Sequence, residues 1–281
     1  MPGRDHTGST HAFPASTTLN YGKGTGPLPC YPTDPNSALN DVDFEGRKCV
    51  EVEYEMQVGP FPAHDFYGDG SLYLLDTPGH WPGHICALAR TTPNTFGFLG
   101  GDICHFAGDF RPSEGMPLPQ NIPEGAFGPA SANAKRRERY PMPCPCTFFT
   151  DHHPQKSISE LNEQKVGRTP FYRLSTDPHS SYKDPPLASS TLEKMRDYFD
   201  TDPNVLVCLA HDSALLDHLP VFNDDPNESI NDWQSLGIKE KCHWGWLKEL
   251  PRYDEAGRVI GPGMRDENIV EGTWKEGQRV K

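Results

Sequence analysis

The chain has 281 residues, enough for one large domain with a real core, and a formal net charge of −13. That charge argues against nucleic acid and against anionic membrane surfaces as partners. Twenty-nine prolines and 26 glycines, with a mean hydropathy of −0.67, describe a loop-heavy globular protein, because 14 Phe, 10 Tyr and 5 Trp still need burial. No apolar run approaches the roughly 20 residues of a membrane span, and the start "MPGRDHTGST" lacks a signal-peptide core, so a cytoplasmic location is expected. Eight cysteines are too sparse for a disulfide framework. Cys144 and Cys146 form a lone C-x-C with no second pair, whereas Cys86, Cys104 and Cys208 sit in apolar runs and read as small buried hydrophobes.

In chain order, "STTLNY" (16–21) reads as a short strand. "CVEVEYEMQV" (49–58) alternates acidic and apolar positions and predicts one half-buried strand. "AHDFYGDGSLYLLDT" (63–77) is a hairpin about a Gly-Asp-Gly turn. "HICALART" (84–91) and "TFGFLGGDI" (95–103) flank "TPN" as a second hairpin. Five strands in succession predict an antiparallel or mixed sheet.

From about 106 to 187 the periodicity dissolves, which predicts a loop-rich insertion in a single domain spanning 1–281. Within it "SISELNEQK" suggests a short helix, and "DHH" (151–153) reads as a solvated loop or a pocket rim. "LASSTLEKMRDYFDTDP" (187–203) predicts an amphipathic helix capped by Ser189 or Ser190, with Leu192, Met195 and Phe199 as its apolar stripe. "NVLVCLAHD" (204–212) has the form of a buried strand delivering residues to a site at its carboxyl end. Trp244 and Trp246 are expected to pack the C-terminal segment onto the core.

Four stretches combine Asp and His with strand ends or tight turns: "RDHTGSTH" (4–11), "DTPGHWPGH" (76–84), "GGDICH" (100–105) and "LAHDS" (209–213). Imidazole and carboxylate are the ligands of zinc-like ions, and such ligands converge from separate loops at one edge of a sheet.

This order of motifs resembles the metallo-β-lactamase superfamily, closest to its lactonase-like and glyoxalase-II-like members and, in "DHTGSTHAFPASTTL", to fungal ones. The resemblance covers most of the chain, and "TPGHWPGH" is its most specific piece. It implies an α+β fold, a four-layer αββα sandwich with the metal site at one edge of two sheets. On the family's His-x-His-x-Asp-His signature, Asp5 and His6 match the last two positions. His80 matches the remaining histidine of the first metal site, Asp102 the bridging aspartate and proton shuttle, and His211 the last histidine of the second site. His84 and Asp212 fall where residues support the ligands without binding metal.

Met1 and Gly3 stand where the signature needs its first two histidines. The implied cofactor is therefore Zn2+, one ion here and two in intact relatives, with iron or manganese suiting the same donors. The family places strands before this signature, so the sandwich is expected to lack its first strands, and an open sheet edge would invite a second copy of the chain. The implied function is a metal-dependent hydrolase of an ester-like bond (lactone, thioester or ester) in a small-molecule substrate. The alternatives are a catalytically impaired member that binds a small molecule or protein, and an iron-dependent oxidoreductase of the same fold.

Overall fold

The computed structural model describes residues 10–128, 140–220 and 226–253 apart from 26–29, 36, 38–39, 141 and 157–160, together with short strands between 258 and 280. Asp5, His6, Met1 and Gly3 lie outside the described residues.

Strands β1 (Leu19–Tyr21) and β2 (Cys49–Glu51) pair in parallel. Strands β3 (Met56–Val58), β4 (Phe61–Asp65), β5 (Leu72–Asp76), β6 (Ile85–Thr92) and β7 (Thr95–Gly101) then run as an antiparallel meander. The small pair β8 (Asn121–Ile122) and β9 (Cys144–Pro145) stands apart, and β10 (Val205–Leu209) returns to join β7 in parallel. The main sheet has the order β10-β7-β6-β5-β4-β3 and is mixed. With its helices the protein is an α+β fold.

The segment 49–58 is two strands where its alternation predicts one. Residues 52–55 carry the chain from one sheet to the other: Val52 N–H still donates to Tyr21 O (2.9 Å), while the Glu55 carboxylate meets His64 Nδ1 at 2.9 Å on β4. The hairpins form where the turn residues place them. In the first, Gly68 and Gly70 adopt φ of 73° and 74°, and the register sets Ala63 opposite Leu75, both fully buried.

The long helix is Pro185–Met195, extended by a π-helical turn at Arg196–Asp200. Its cap is Asp184, whose Oδ1 accepts from Leu187 N–H at 3.0 Å, and not Ser189 or Ser190. Pro185 and Pro186 occupy the first turn, where no intrahelical N–H is required. Ala188, Leu192, Met195 and Phe199 are buried on the sheet, with Phe199 stacked against Phe61 and tilted against Phe98. Along β10, Val205, Val207 and Leu209 enter this principal core. Leu206 enters a smaller cluster with Leu215, Trp233, Ile238 and Cys242, so both faces of the strand are covered.

The aperiodic stretch 106–187 contributes heavily to the principal core through Phe106, Phe110, Ile122, Phe127, Phe149 and Phe171. Ile122 lies on the two-residue β8 and Phe149 on a single helical turn at Thr147–Thr150, and elements this short, joined by irregular backbone, carry no helical or strand period. The "DHH" stretch is likewise internal at its last residue: His153 is buried, packs on Phe171 at 4.3 Å and places Nε2 3.1 Å from Thr169 O. Trp246 is wedged edge-on between Phe106 and Phe171, and Trp244 is buried beside it in sequence. None of the eight cysteines forms a disulfide. No helix among the described residues is long and apolar enough to cross a membrane.

Candidate metal centre

One edge of the sheet collects the carboxyl ends of β5, β7 and β10, because β6 runs antiparallel between β5 and β7 and β10 is parallel to β7. Side chains that leave these three ends converge.

The β5–β6 connection carries His80. Thr77 N–H donates to His84 O (3.1 Å) across the mouth of the loop, and His84 N–H donates to Trp81 O to close a tight turn. The loop is tied to the long helix and to the segment before it. Thr191 Oγ1–H donates to Pro78 O (2.7 Å), Asp184 N–H to Gly79 O, and Lys183 N–H to His80 O, both at 3.0 Å. His80 is buried, and its Nδ1 has no hydrogen-bond partner among the described residues. Packing holds the ring instead, with His105, His84 and Tyr182 against it at 5.0, 5.7 and 5.7 Å.

Asp102 leaves β7 through a bulge. Cys208 pairs with Leu99 and Leu209 with Gly101, so Gly100 is the extra residue, and Ala210 N–H donates to Gly101 O at 3.2 Å. A Cβ on Gly100 would lie 2.8 Å from Leu209 Cδ2 and 3.5 Å from the Cys208 carbonyl oxygen, so a larger residue there would have to turn the Leu209 side chain aside. His84 stands over this turn: a Cβ on Gly101 would lie 3.4 Å from its Nε2. The Nδ1 of His84 lies 2.9 Å from the Thr77 hydroxyl and 3.1 Å from the Thr77 carbonyl. Burial, then the neighbouring His80, pushes the His84 pKa down to about 4, so the ring is neutral near pH 7.

Three imidazoles surround the Asp102 carboxylate. His80 Nε2 lies 3.4 Å from Oδ2, while His211 Nε2 and His105 Nε2 lie 3.0 and 3.6 Å from Oδ1. Burial pushes the Asp102 carboxyl up, but hydrogen bonds from His105, His211 and His80 outweigh it and hold the group well below the usual carboxylate range. His80, Asp102 and His105 present ligand atoms all within 4.8 Å of one another. Imidazole nitrogens and a carboxylate that converge this closely are the donor set of a zinc-like cation, so the residues present fit one.

The structure thus brings His80, Asp102 and His211 together and places His84 behind them. Asp212 faces away from this cluster, with Oδ2 3.7 Å from Arg111 Nη1. His105 is the residue that the reading of motifs passed over. It stands in "GGDICH", three residues after Asp102, and only the convergence of the chain gives it a role. Tyr182 is a second such residue: its hydroxyl accepts from His105 N–H at 3.3 Å, and its ring stacks on His105 at 5.4 Å. It belongs to the 106–187 stretch, which therefore covers part of the cluster.

Comparison with curated proteins finds several similar sequences. Gamma-lactamase FDB1 of Fusarium pseudograminearum is 36% identical over 259 residues, 89% of this chain and 57% of that protein. Metallo-hydrolase mfmC of Annulohypoxylon moriforme is 36% identical over 246 residues, 85% of this chain and 57% of its own length. Gamma-lactamase MBL2 of Gibberella moniliformis is 39% identical over 182 residues, 62% of this chain and 68% of that protein. The chain therefore spans little more than half the length of the first two. No family model matches the chain, and no solved structure does.

Proposed function

Because the chain belongs to the metallo-β-lactamase superfamily, we propose that it is a metal-dependent hydrolase acting on an ester-like carbonyl bond of a small molecule. The observation that carries this reading is the convergence of His80, His105 and His211 on the single carboxylate of Asp102 at the carboxyl ends of the strands. Lactones, thioesters and esters share the acyl–heteroatom bond this chemistry cleaves. The names of two relatives extend it to the cyclic amide of a γ-lactam.

We assign zinc as the ion. When bound, such an ion polarises a carbonyl and lowers the pKa of water so that hydroxide is present near neutral pH. His80, Asp102 and His105 would hold it, and we assign His211, whose Nε2 lies 3.0 Å from Asp102 Oδ1, as a further ligand beside them. The three donors from residues 80, 102 and 105 meet the number that catalytic zinc sites ordinarily use, independently of the first nine residues. Asp102 remains ionised under its histidines, and its Oδ2 is the atom we assign to carry the proton from water to the leaving group. Tyr182 closes one side of the imidazole cluster against water.

We further read the mixed sheet as one of the two sheets of a four-layer αββα sandwich. The reduced cysteines accord with a cytoplasmic setting. Total metal analysis of the purified chain, paired with hydrolysis of a panel of lactones, thioesters and γ-lactams, tests the function. Zinc in the protein with turnover that Asp102→Ala abolishes is the expected result. A metal-free protein, or an Asp102→Ala variant that still turns over, overturns it.

A further inference from the structure

The protein also encloses a buried set of charges that the proposed reaction does not use. Arg111 and Asp200 form a two-pronged pair, Nη2 to Oδ1 at 2.6 Å and Nε to Oδ2 at 3.3 Å, with both side chains almost wholly enclosed. The remaining nitrogen, Nη1, donates to His243 O at 3.3 Å and lies 3.7 Å from Asp212 Oδ2. One guanidinium thus holds the π-helical turn at Asp200, the carbonyl of His243 and the carboxylate of Asp212.

Enclosed ion pairs are poor sources of stability, because desolvating the partners cancels most of the attraction between them. What such a set supplies is a defined geometry. Here both chain segments that carry ligands are referred to it. Arg111 lies on the same segment leaving β7 as Asp102, and its own N–H donates to Ala107 O at 3.0 Å across the short helical turn Ala107–Asp109. Asp212 follows His211 directly. Its Oδ1 accepts from Ala214 N–H at 3.0 Å and its N–H donates to Leu209 O at 3.4 Å, so its side chain closes the turn that leaves β10. Of these two neighbours, His211 faces Asp102 and Asp212 faces Arg111.

We infer that Arg111 and Asp212 form an internal clamp that fixes His211 against Asp102, which makes Asp212 a positioning residue for the metal centre. The inference rests on the metal-binding reading above. It predicts that Asp212 acts on the ion only through His211. Asparagine at 212 keeps the shape and the acceptor for Ala214 N–H while removing the charge that addresses Arg111. Asp200→Asn breaks the other arm, leaving Arg111 free to address Asp212.

The test is zinc titration calorimetry on the full chain, with urea unfolding of the metal-free protein beside it. The set is wild type, Asp212→Asn, Asp200→Asn, His211→Ala and the His211→Ala/Asp212→Asn double variant. Asp212→Asn should weaken zinc binding by about ten- to a hundred-fold, the usual range for a partner that orients a ligand. In the His211→Ala background the same change should have no further effect, as expected when two residues act as one unit. Asp200→Asn should lower the urea midpoint while leaving zinc affinity within about two-fold in the folded protein. Should Asp212→Asn fail to fold, Arg111→Lys carries the same test, since it keeps the charge and loses the fork. Equal zinc affinity in wild type and Asp212→Asn overturns the clamp, as does an equal loss with and without His211. A wild-type chain that takes up no zinc overturns the metal reading itself and the clamp with it.

Discussion

Gly79, one residue before His80, is the position where a single methyl group should do most damage. Its φ of 134° is open to glycine and strained for any other residue. A Cβ there would also lie 2.4 Å from both Cα and N of Ala188 and 2.9 Å from its Cβ. The obstacle is helix backbone, which cannot rotate away, so the loop and the helix must part by about 1 Å to restore ordinary contact. Backbone strain of roughly 1–3 kcal/mol and overpacking of roughly 1–3 kcal/mol give Gly79→Ala a cost of about 2–6 kcal/mol. With a slope of about 2 kcal/mol per molar urea, the unfolding midpoint should fall by about 1–3 M. The separation would also move His80, and a misplacement of about 1 Å in an active site costs on the order of a hundredfold in rate. Gly24→Ala is the control, since Gly24 has φ of 79° and nothing within 4 Å of its added Cβ. It should show strain alone, about 1 kcal/mol. If Gly79→Ala unfolds at the wild-type urea concentration and binds zinc as the wild type does, the docking of this loop on the helix is misread.

Three other outcomes follow from the same contacts. His105→Ala should lower zinc affinity at least tenfold, whereas His84→Ala, which removes a ring from behind Gly101 and not a donor, should lower it less; equal losses in a calorimetric titration would contradict the assignment of His105. His243 is fully buried, and burial followed by the Arg111 charge lowers its pKa to about 3. The unfolded chain takes up a proton there below about pH 6.5 and the folded chain does not until about pH 3. Its stabilisation is therefore complete above pH 6.5 and should fall by about 1.4 kcal/mol per pH unit as the pH drops through that window. Unfolding free energies measured by urea from pH 7 to 5 should show at least this slope, since the lowered His84 adds to it in the same direction, and His243→Phe should reduce it by about 1.4 kcal/mol per pH unit. Finally, Phe127 is buried and stacked on Tyr140 at 4.3 Å. Phe127→Ala should cost about 3–5 kcal/mol, and deletion of 120–142 should abolish cooperative unfolding; a deletion variant that still unfolds cooperatively would mean that this stretch does not support the principal core.

Alternation and turn residues made the two central hairpins legible, since a register fixed by Ala63 and Leu75 leaves one side of each strand apolar. The site was legible in part for the same reason. His80, Asp102 and His211 stand at strand ends or in glycine turns, where local sequence announces a change of direction. His105 offers no such sign, because its place depends on where β10 returns. The helix start was misread because Ser189 and Ser190 resemble caps, although Asp184 before two prolines is the stronger signal once all three are weighed. The core contribution of 106–187 was hidden because its aromatic residues are brought inward by turns and have no common period. Asp5 and His6 lie outside the described residues, and their part in the centre rests on the motif alone.

The pairing of β10 with β7 joins Leu209 to Gly101 across more than a hundred residues of intervening chain. Closing so long a loop costs entropy before any contact repays it, and non-local pairings of this kind slow folding. On a ribosome the meander can form early, yet it would display β7 as an unpaired edge until residue 209 has emerged. Such an edge is a template for pairing with other chains. The carboxylate of Asp102 would meanwhile lack His211, so a nascent or interrupted chain would present an immature centre on an adhesive sheet. Yield on overexpression should therefore depend on synthesis rate and on chaperone supply more steeply than the stability of the finished fold would suggest.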